Sequence, residues 1–331
     1  MFARIQAAGR TDVGRRRESN QDQFLIADLS RSMQIHGSSL NIEPRSRLYG
    51  TPQSRIFVVA DGMGGHQAGS RASSMAIDFV VNHLLNQMHW YFLTDRDNQL
   101  EFVESMKGLV RDANAAIQFD SRQNVAFHGM GTTLTMAYVV WPKLHVVHVG
   151  DSRCYLFRKG ELKQITRDHT MASQLVDRGT LDKADIETSP WSNVLWNALG
   201  GGTRTVVADI YDNDLEPDDR LLLCSDGLNK HVKDEEIRNL LEVENDPVIA
   251  CRELIELANS RGGLDNITTI VARFDDPDPS PPRTMVSAQV TLERMIPGLF
   301  DIAPKSIKDS VEPVPYHDVR DTDPHIDKRL F

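Results

Sequence analysis

Five aspartates share one local setting, the end of an apolar run or the turn that follows it. They are Asp22 in RRRESNQDQFLIADL, Asp61 in IFVVADGMGGH, Asp151 in LHVVHVGDSR, Asp226 in LLLCSDG and Asp265 in GGLDNITTIVARF. Singly, each means little, because Asp and Gly are the default residues of a turn. As a set they pose an electrostatic problem. If strand ends bring them together, like charges ~4 Å apart repel by roughly 4 kcal/mol per pair at an effective dielectric of 20, so the cluster demands counter-charge. Two divalent cations would neutralise four carboxylates. Oxygen-only ligation selects hard ions, Mg or Mn, over zinc. Two such ions sharing a water lower its pKa and hold a phosphoryl group for in-line attack, which makes phosphate-ester hydrolysis the natural chemistry.

A phosphate dianion also needs a cation that reads its geometry. Arg17, five residues before Asp22, is the fork-shaped donor best placed for two parallel hydrogen bonds. Arg15, Arg16 and Arg17 are consecutive, however, and a solvated basic face explains them equally well on spacing alone.

The elements that must carry these groups are short and apolar. Arg55 to Ala60, Thr132 to Val140, Leu144 to Val149, Cys154 to Arg158, Arg220 to Cys224 and Asn266 to Arg273 read as strands. WPK after Val140 and RKGE after Phe157 read as hairpin turns, which favours antiparallel pairing. Helical spacing predicts helices over Gly69 to Met88 and near Leu100 to Phe119, and Pro247 opens a third with Ala250, Leu254, Leu257 and Ala258 apolar. Hairpin-linked strands and paired helices suggest sheets packed on each other with helices outside. Ser32 to Ser54, rich in Ser, Arg, Gly and Pro, reads as a loop insertion. Nine of the fifteen prolines follow Asp275, so residues 275–331 read as a largely disordered acidic tail behind a catalytic region of residues 1–274.

Composition narrows the alternatives. The chain has 331 residues and a net charge of -10, against nucleic-acid binding by bulk charge. No stretch approaches the ~20 apolar residues of a membrane span and the amino terminus lacks a signal-peptide core, so a cytoplasmic location is expected. Cys154, Cys224 and Cys251 are widely spaced and odd in number, which leaves no disulfide framework or CxxC zinc site. Cys154 and Cys224 fall in apolar runs and no CxxxxxR loop is present, against a phosphocysteine mechanism. His145 and His148, three apart in a strand, point to opposite faces and read as structural. DGMGGHQAG and ALGGGT lack the GK[ST] and strand-borne GxGxxG of nucleotide loops.

Seven ordered segments, TDVGRRRESNQD, VVADGMGGHQAG, GTTLTMAYV, HVGDSRCYLFRKGELKQITRDHT, NVLWNALGG, LLLCSDGL and DNITTIVARF, together resemble the metal-dependent Ser/Thr protein phosphatases of type 2C, in their bacterial form, over about Ala7 to Phe274. The resemblance implies an α+β fold, a four-layer α-β-β-α sandwich of two antiparallel sheets flanked by helices. By position it implies that Asp61 bridges two metals, that the Gly62 carbonyl holds the second, and that Asp226 and Asp265 hold the first. It further implies that Asp22 orients a metal-bound water, that Arg17 clamps phosphate, and that Asp151 holds, with Asp226, a third and weaker metal.

Two positions depart from the family pattern. Gln21 stands where some members have Glu, and Met63 where others have a His proposed as general acid; His66 in the same loop is a candidate for that task, with a structural loop histidine as the competing reading. The segment from Thr166 to Thr205 matches the position of the family's mobile flap. The expectation is a cytoplasmic, monomeric, Mn- or Mg-dependent phosphoserine and phosphothreonine phosphatase whose partners are phosphoproteins and a Ser/Thr kinase. A catalytically dead relative that binds phosphoproteins or a kinase as a regulatory scaffold, and a small-metabolite phosphohydrolase on the same metals, are the rivals.

Overall fold

Residues 56–59 show how the layers arise. In a strand successive side chains point to opposite faces, and here Phe57 and Val59 enter one apolar core while Ile56 and Val58 enter another. Leu221 and Leu223 face the first of these cores, and Leu222 and Cys224 face a third. A sheet buried on both faces needs partners on both, and that requirement sets the architecture.

A computed structural model describes residues 4–36, 39, 47–86, 99–202 and 205–276. In chain order the first half comprises β1 (Arg4–Asp12), β2 (Gln23–Gln34), β3 (Arg47–Ala60), β4 (Gly62–Met63), α1 (His66–Asn86), α2 (Gln99–Gln123), β5 (Gly131–Thr132), β6 (Leu134–Val140) and β7 (Lys143–Val149). The second half comprises β8 (Arg153–Arg158), β9 (Glu161–Gln164), α3 (Met171–Asp177), β10 (Leu199–Gly200), β11 (Asp209–Asp214), β12 (Arg220–Cys224), α4 (Asp226–Asn229), α5 (Asp234–Val243), α6 (Pro247–Ser260) and β13 (Ile267–Asp275). One sheet has the order β1-β13-β12-β8-β9 and the other β11-β7-β6-β3-β2, with every pairing antiparallel. A small sheet, β10-β5-β4, lies beside them.

The central core joins the two large sheets through Phe57, Val59, Ala137, Val146, Leu221, Leu223 and Ile270. Behind the second sheet, Ala72, Ala76 and Val80 of α1 and Met106, Leu109 and Ala113 of α2 pack on Met136, Tyr138 and Val147. Behind the first, Ile237 and Leu241 of α5 and Ala250, Leu254 and Ile255 of α6 cover Tyr155, Leu222 and Val271. This is the expected four-layer sandwich. Helix α6 starts where its sequence says it should: Pro247 sits in the first turn and the Asp246 side chain caps it by accepting from the Val248 amide at 2.8 Å.

Two expectations change. The two ends of the Ser32 to Ser54 segment are strand, not loop: β2 and β3 remain paired through Ser32↔Tyr49, Met33↔Leu48 and Gln34↔Arg47, beyond register shifts near Ser30, while residues 37–38 and 40–46 lie outside the described residues. The polar composition hid the pairing, because Ser32, Met33 and Gln34 are exposed and the register shifts break the regular alternation of a buried strand. The last strand ends at Asp275, one residue inside the segment read as tail. Residues 277–331, which carry the rest of that reading, lie outside the described residues.

Candidate active site

All five aspartates sit at one edge of the sandwich, and strand register is the reason. Gln23 pairs with Ala60, which brings Asp22 beside Asp61. Cys224 pairs with both Thr269 and Arg153, which brings Asp226 beside the starts of β13 and β8 and hence near Asp265 and Asp151. Arg17, Asp61, Gly62, Asp151, Asp226 and Asp265 line a single pocket of about 520 Å³, together with Gln21, Met63, Thr133, Lys230 and Asn266.

The two Asp-Gly pairs at this edge are steric necessities. A Cβ on Gly62 would stand 2.2 Å from the Gly69 carbonyl oxygen and 2.7 Å from that of Gln21. One on Gly227 would stand 1.9 Å from the Asn266 carbonyl oxygen. Only glycine lets these backbones approach so closely, and the approach draws Asp61 and Asp226 to their neighbours.

Side chains that the sequence did not single out hold the edge together. Asn266 accepts from the Gln21 amide at 2.9 Å and donates to the Val13 and Ser19 carbonyls, each at 3.0 Å, so it folds the Arg17 loop onto β13. Thr133 accepts from the Asp61 amide at 2.9 Å and shares a 2.7 Å hydrogen bond with Ser152. Their signal lay inside the matched segments DNITT and GTTLT, but nothing local distinguishes a Thr or Asn that bonds a distant backbone.

Asp22, 2% exposed, is not among the pocket's lining residues, although its neighbour Gln21 is. Its Oδ2 accepts from the Ser225 and Thr268 hydroxyls, each at 2.7 Å, while its buried Oδ1 has no hydrogen-bond partner. Burial pushes its pKa up to about 6, the two hydroxyls pull it down, and the charges of Asp226 and Asp265 add to the rise. Burial also pushes Asp61 well above the usual carboxylate range, with Asp22, Asp226, Asp151 and Asp265 contributing. Asp151 is raised in the same way, chiefly by burial and then by Asp226 and Asp168, with Lys230 and Arg153 opposing.

Two chain cations stand among the acids. Arg17 forks onto Asp265, and Lys230 pairs with Asp226 and lies 4.0 Å from Asp265 Oδ2. Among the described residues no three His, Cys, Asp or Glu side chains stand as a ready-made ion cage. The donor set nonetheless suits a hard divalent ion, being all oxygen, and a second buried oxygen, Asp226 Oδ1, is also without a partner.

A segment with its own short helix borders the pocket through Asn193, Val194 and Leu195. Its anchor is His169, 3% exposed, whose Nδ1 accepts from the Gly150 amide at 3.1 Å and from Asn197 at 2.8 Å while its Nε2 faces Asp209 at 3.1 Å. Arg153 adds a second tie by forking onto Asp168. Segment and Asp151 loop are therefore one hydrogen-bonded unit.

His66 opens α1, but its side chain lies outside the described set. His148 is buried against Thr135 and the Arg167 carbonyl, with burial lowering its pKa to about 3, and His145 faces Asp212 on the other side of the strand. Neither is among the pocket's lining residues. Cys154, Cys224 and Cys251 are free and buried. No helix among the described residues is long and apolar enough to cross a membrane.

The family profile described as protein phosphatase 2C matches residues 46–253. The chain is 37% identical over 227 residues to the serine/threonine protein phosphatase PstP of Mycobacterium tuberculosis, an alignment spanning 68% of this chain but only 41% of that protein. It is 35% identical over 220 residues to the serine/threonine phosphatase stp of Listeria monocytogenes, covering 66% of this chain and 84% of the relative. Among solved structures, the catalytic domain of a serine/threonine protein phosphatase PstP in complex with two manganese ions superposes with a TM-score of 0.63 at 32% identity, covering 82% of this chain and 99% of that one.

Proposed function

Because the chain belongs to the protein phosphatase 2C family, we propose that it hydrolyses phosphoserine and phosphothreonine in proteins, using two divalent cations, Mn or Mg, held by Asp61, the Gly62 carbonyl, Asp226 and Asp265. The observation that carries this reading is the convergence of these groups, from strand ends far apart in sequence, on one pocket edge with two buried carboxylate oxygens left without partners. Bound there, two hard ions supply the counter-charge, an acidified water and the electrophilic pull on a phosphoryl oxygen.

The chain's own groups do the rest. Arg17, whose fork rests on both oxygens of Asp265 here, would turn from them to the phosphate oxygens when Asp265 takes a metal, and so steady the ester in the pocket mouth. Asp22, fixed through Oδ2 by Ser225 and Thr268, keeps Oδ1 available to accept a hydrogen bond from a water and so to orient it toward phosphorus. Met63 lines the pocket and carries no proton, so protonation of the departing Ser or Thr oxygen falls to another group. Direct attack by water, without a phosphoenzyme, agrees with the three buried thiols and with the Thr133 hydroxyl being engaged by the Asp61 amide and Ser152.

Asn193, Val194 and Leu195 form a mixed polar and apolar rim suited to a peptide flanking the phosphoresidue. A Ser/Thr kinase would supply such substrates. The test is a panel of phosphoserine and phosphothreonine peptides against sugar phosphates and nucleotides, each with Mn. Preference for peptides by tenfold or more in kcat/KM is expected; preference for a small metabolite would overturn the substrate assignment.

A further inference from the structure

The family resemblance also implies a third ion on Asp151 and Asp226, and the residues present do not fit it. Helix α4 begins at Asp226, and the Lys230 amide donates to the Asp226 carbonyl at 3.0 Å, closing one helical turn. Positions i and i+4 face the same way, so the Lys230 side chain is tethered over the Asp226 carboxylate. Its ammonium pairs with Asp226 Oδ2 and lies 4.0 Å from Asp265 Oδ2. Only 31% of the side chain is exposed, it lines the same pocket as Asp151, and its charge opposes the rise of the Asp151 carboxyl, so the ammonium acts on Asp151 as well as on Asp226 and Asp265.

The two oxygens of Asp226 are thus divided. Oδ1 is buried and without a partner, while Oδ2 is taken by an ammonium. We infer that Lys230 is a built-in cation that occupies the place of a third ion, confining divalent metal to the side of the pocket facing Asp61. A covalently attached ammonium needs no free ion to fill its place, brings one charge where a metal brings two, and coordinates no water. Positive charge on the Asp151 side would then be permanent and independent of metal supply.

The inference rests on the proposed two-ion reading of Asp61, Asp226 and Asp265, and the experiment separates the two. Mn ions bound by the full chain at millimolar Mn are counted by equilibrium dialysis for the native protein, Lys230→Gln, Lys230→Ala and the double variant Lys230→Gln, Asp151→Asn. Two ions are expected for the native protein, three for each single variant and two for the double variant. Three ions in the native protein, two in both single variants, or a third ion that survives loss of Asp151 would overturn the role of Lys230 and leave the two-ion reading standing. Fewer than two ions in the native protein would overturn both. The two single variants guard against one failing to fold.

Discussion

Arg17 and Asp265 meet across 248 residues of sequence through two parallel hydrogen bonds, Nε to Oδ1 and Nη2 to Oδ2, both 2.9 Å. The proposed phosphate clamp and one of the proposed metal ligands are therefore posed on each other. The Arg17 side chain is half exposed, so the pair contributes to positioning rather than to stability. Arg17→Ala should raise KM for a phosphothreonine peptide by about tenfold with a smaller fall in kcat, and Arg17→Lys should not restore it because an ammonium cannot make the fork. Steady-state kinetics of the two variants check this; a KM unchanged in Arg17→Ala would place the clamp elsewhere.

Asp22 makes a prediction about stability. Its carboxyl titrates near 6 in the folded chain against an ordinary value of 3.8, so between these values the folded state binds more protons than the unfolded one. Metal-free stability contributed by this group is present below about pH 4 and is lost as pH rises through 6, a change of about 3 kcal/mol. In EDTA at pH 7.5, Asp22→Asn should melt several degrees above the native protein, and the gap should close as pH falls toward 4. Equal melting temperatures at both pH values would show that Asp22 carries no such penalty.

Asn197 is 1% exposed, donates to His169 Nδ1 and to the Val207 carbonyl, each at 2.8 Å, and accepts from the Val207 amide at 3.1 Å. Asn197→Ala removes both hydrogen bonds to the Val207 backbone and the one to His169 and loosens the rim segment, at a cost of about 1–2 kcal/mol. Faster amide hydrogen exchange over residues 193–195, together with a lower melting temperature, is the expected outcome.

Gly227→Ala would force a Cβ to within 1.9 Å of the Asn266 carbonyl oxygen. Neither backbone can give way without moving Asp226 or the Arg17 loop that Asn266 holds, so the substitution should destabilise by roughly 3 kcal/mol and remove activity. Denaturant unfolding measures the first effect, and native-like stability would contradict the close approach.

Much of this site was legible because its strands are apolar runs that stop at Asp-Gly or Gly-Asp. The outer strands were harder: β1 alternates exposed and half-buried positions without a continuous apolar run, and β11 is mostly polar along the opposite sheet's edge. The α5 helix escaped although Asp234, Glu235 and Glu236 fill its first turn, because its buried residues are few. Lys230 and Asn266 could not be found locally at all. Their meaning comes from partners brought by the fold, a carboxylate one turn back that matters only because of Asp265 and Asp151, and a loop some 250 residues away.

The account stands on the acids at the sandwich edge acting through hard cations. Its most direct test is phosphate release from a phosphothreonine peptide by EDTA-treated, desalted protein, before and after Mn is restored, in native, Asp61→Asn and Asp226→Asn forms. The account predicts no turnover without metal, recovery of the native protein with Mn, and a loss of about a thousandfold or more in both variants at any Mn concentration. Native-like turnover in EDTA, or in either aspartate variant, would contradict it.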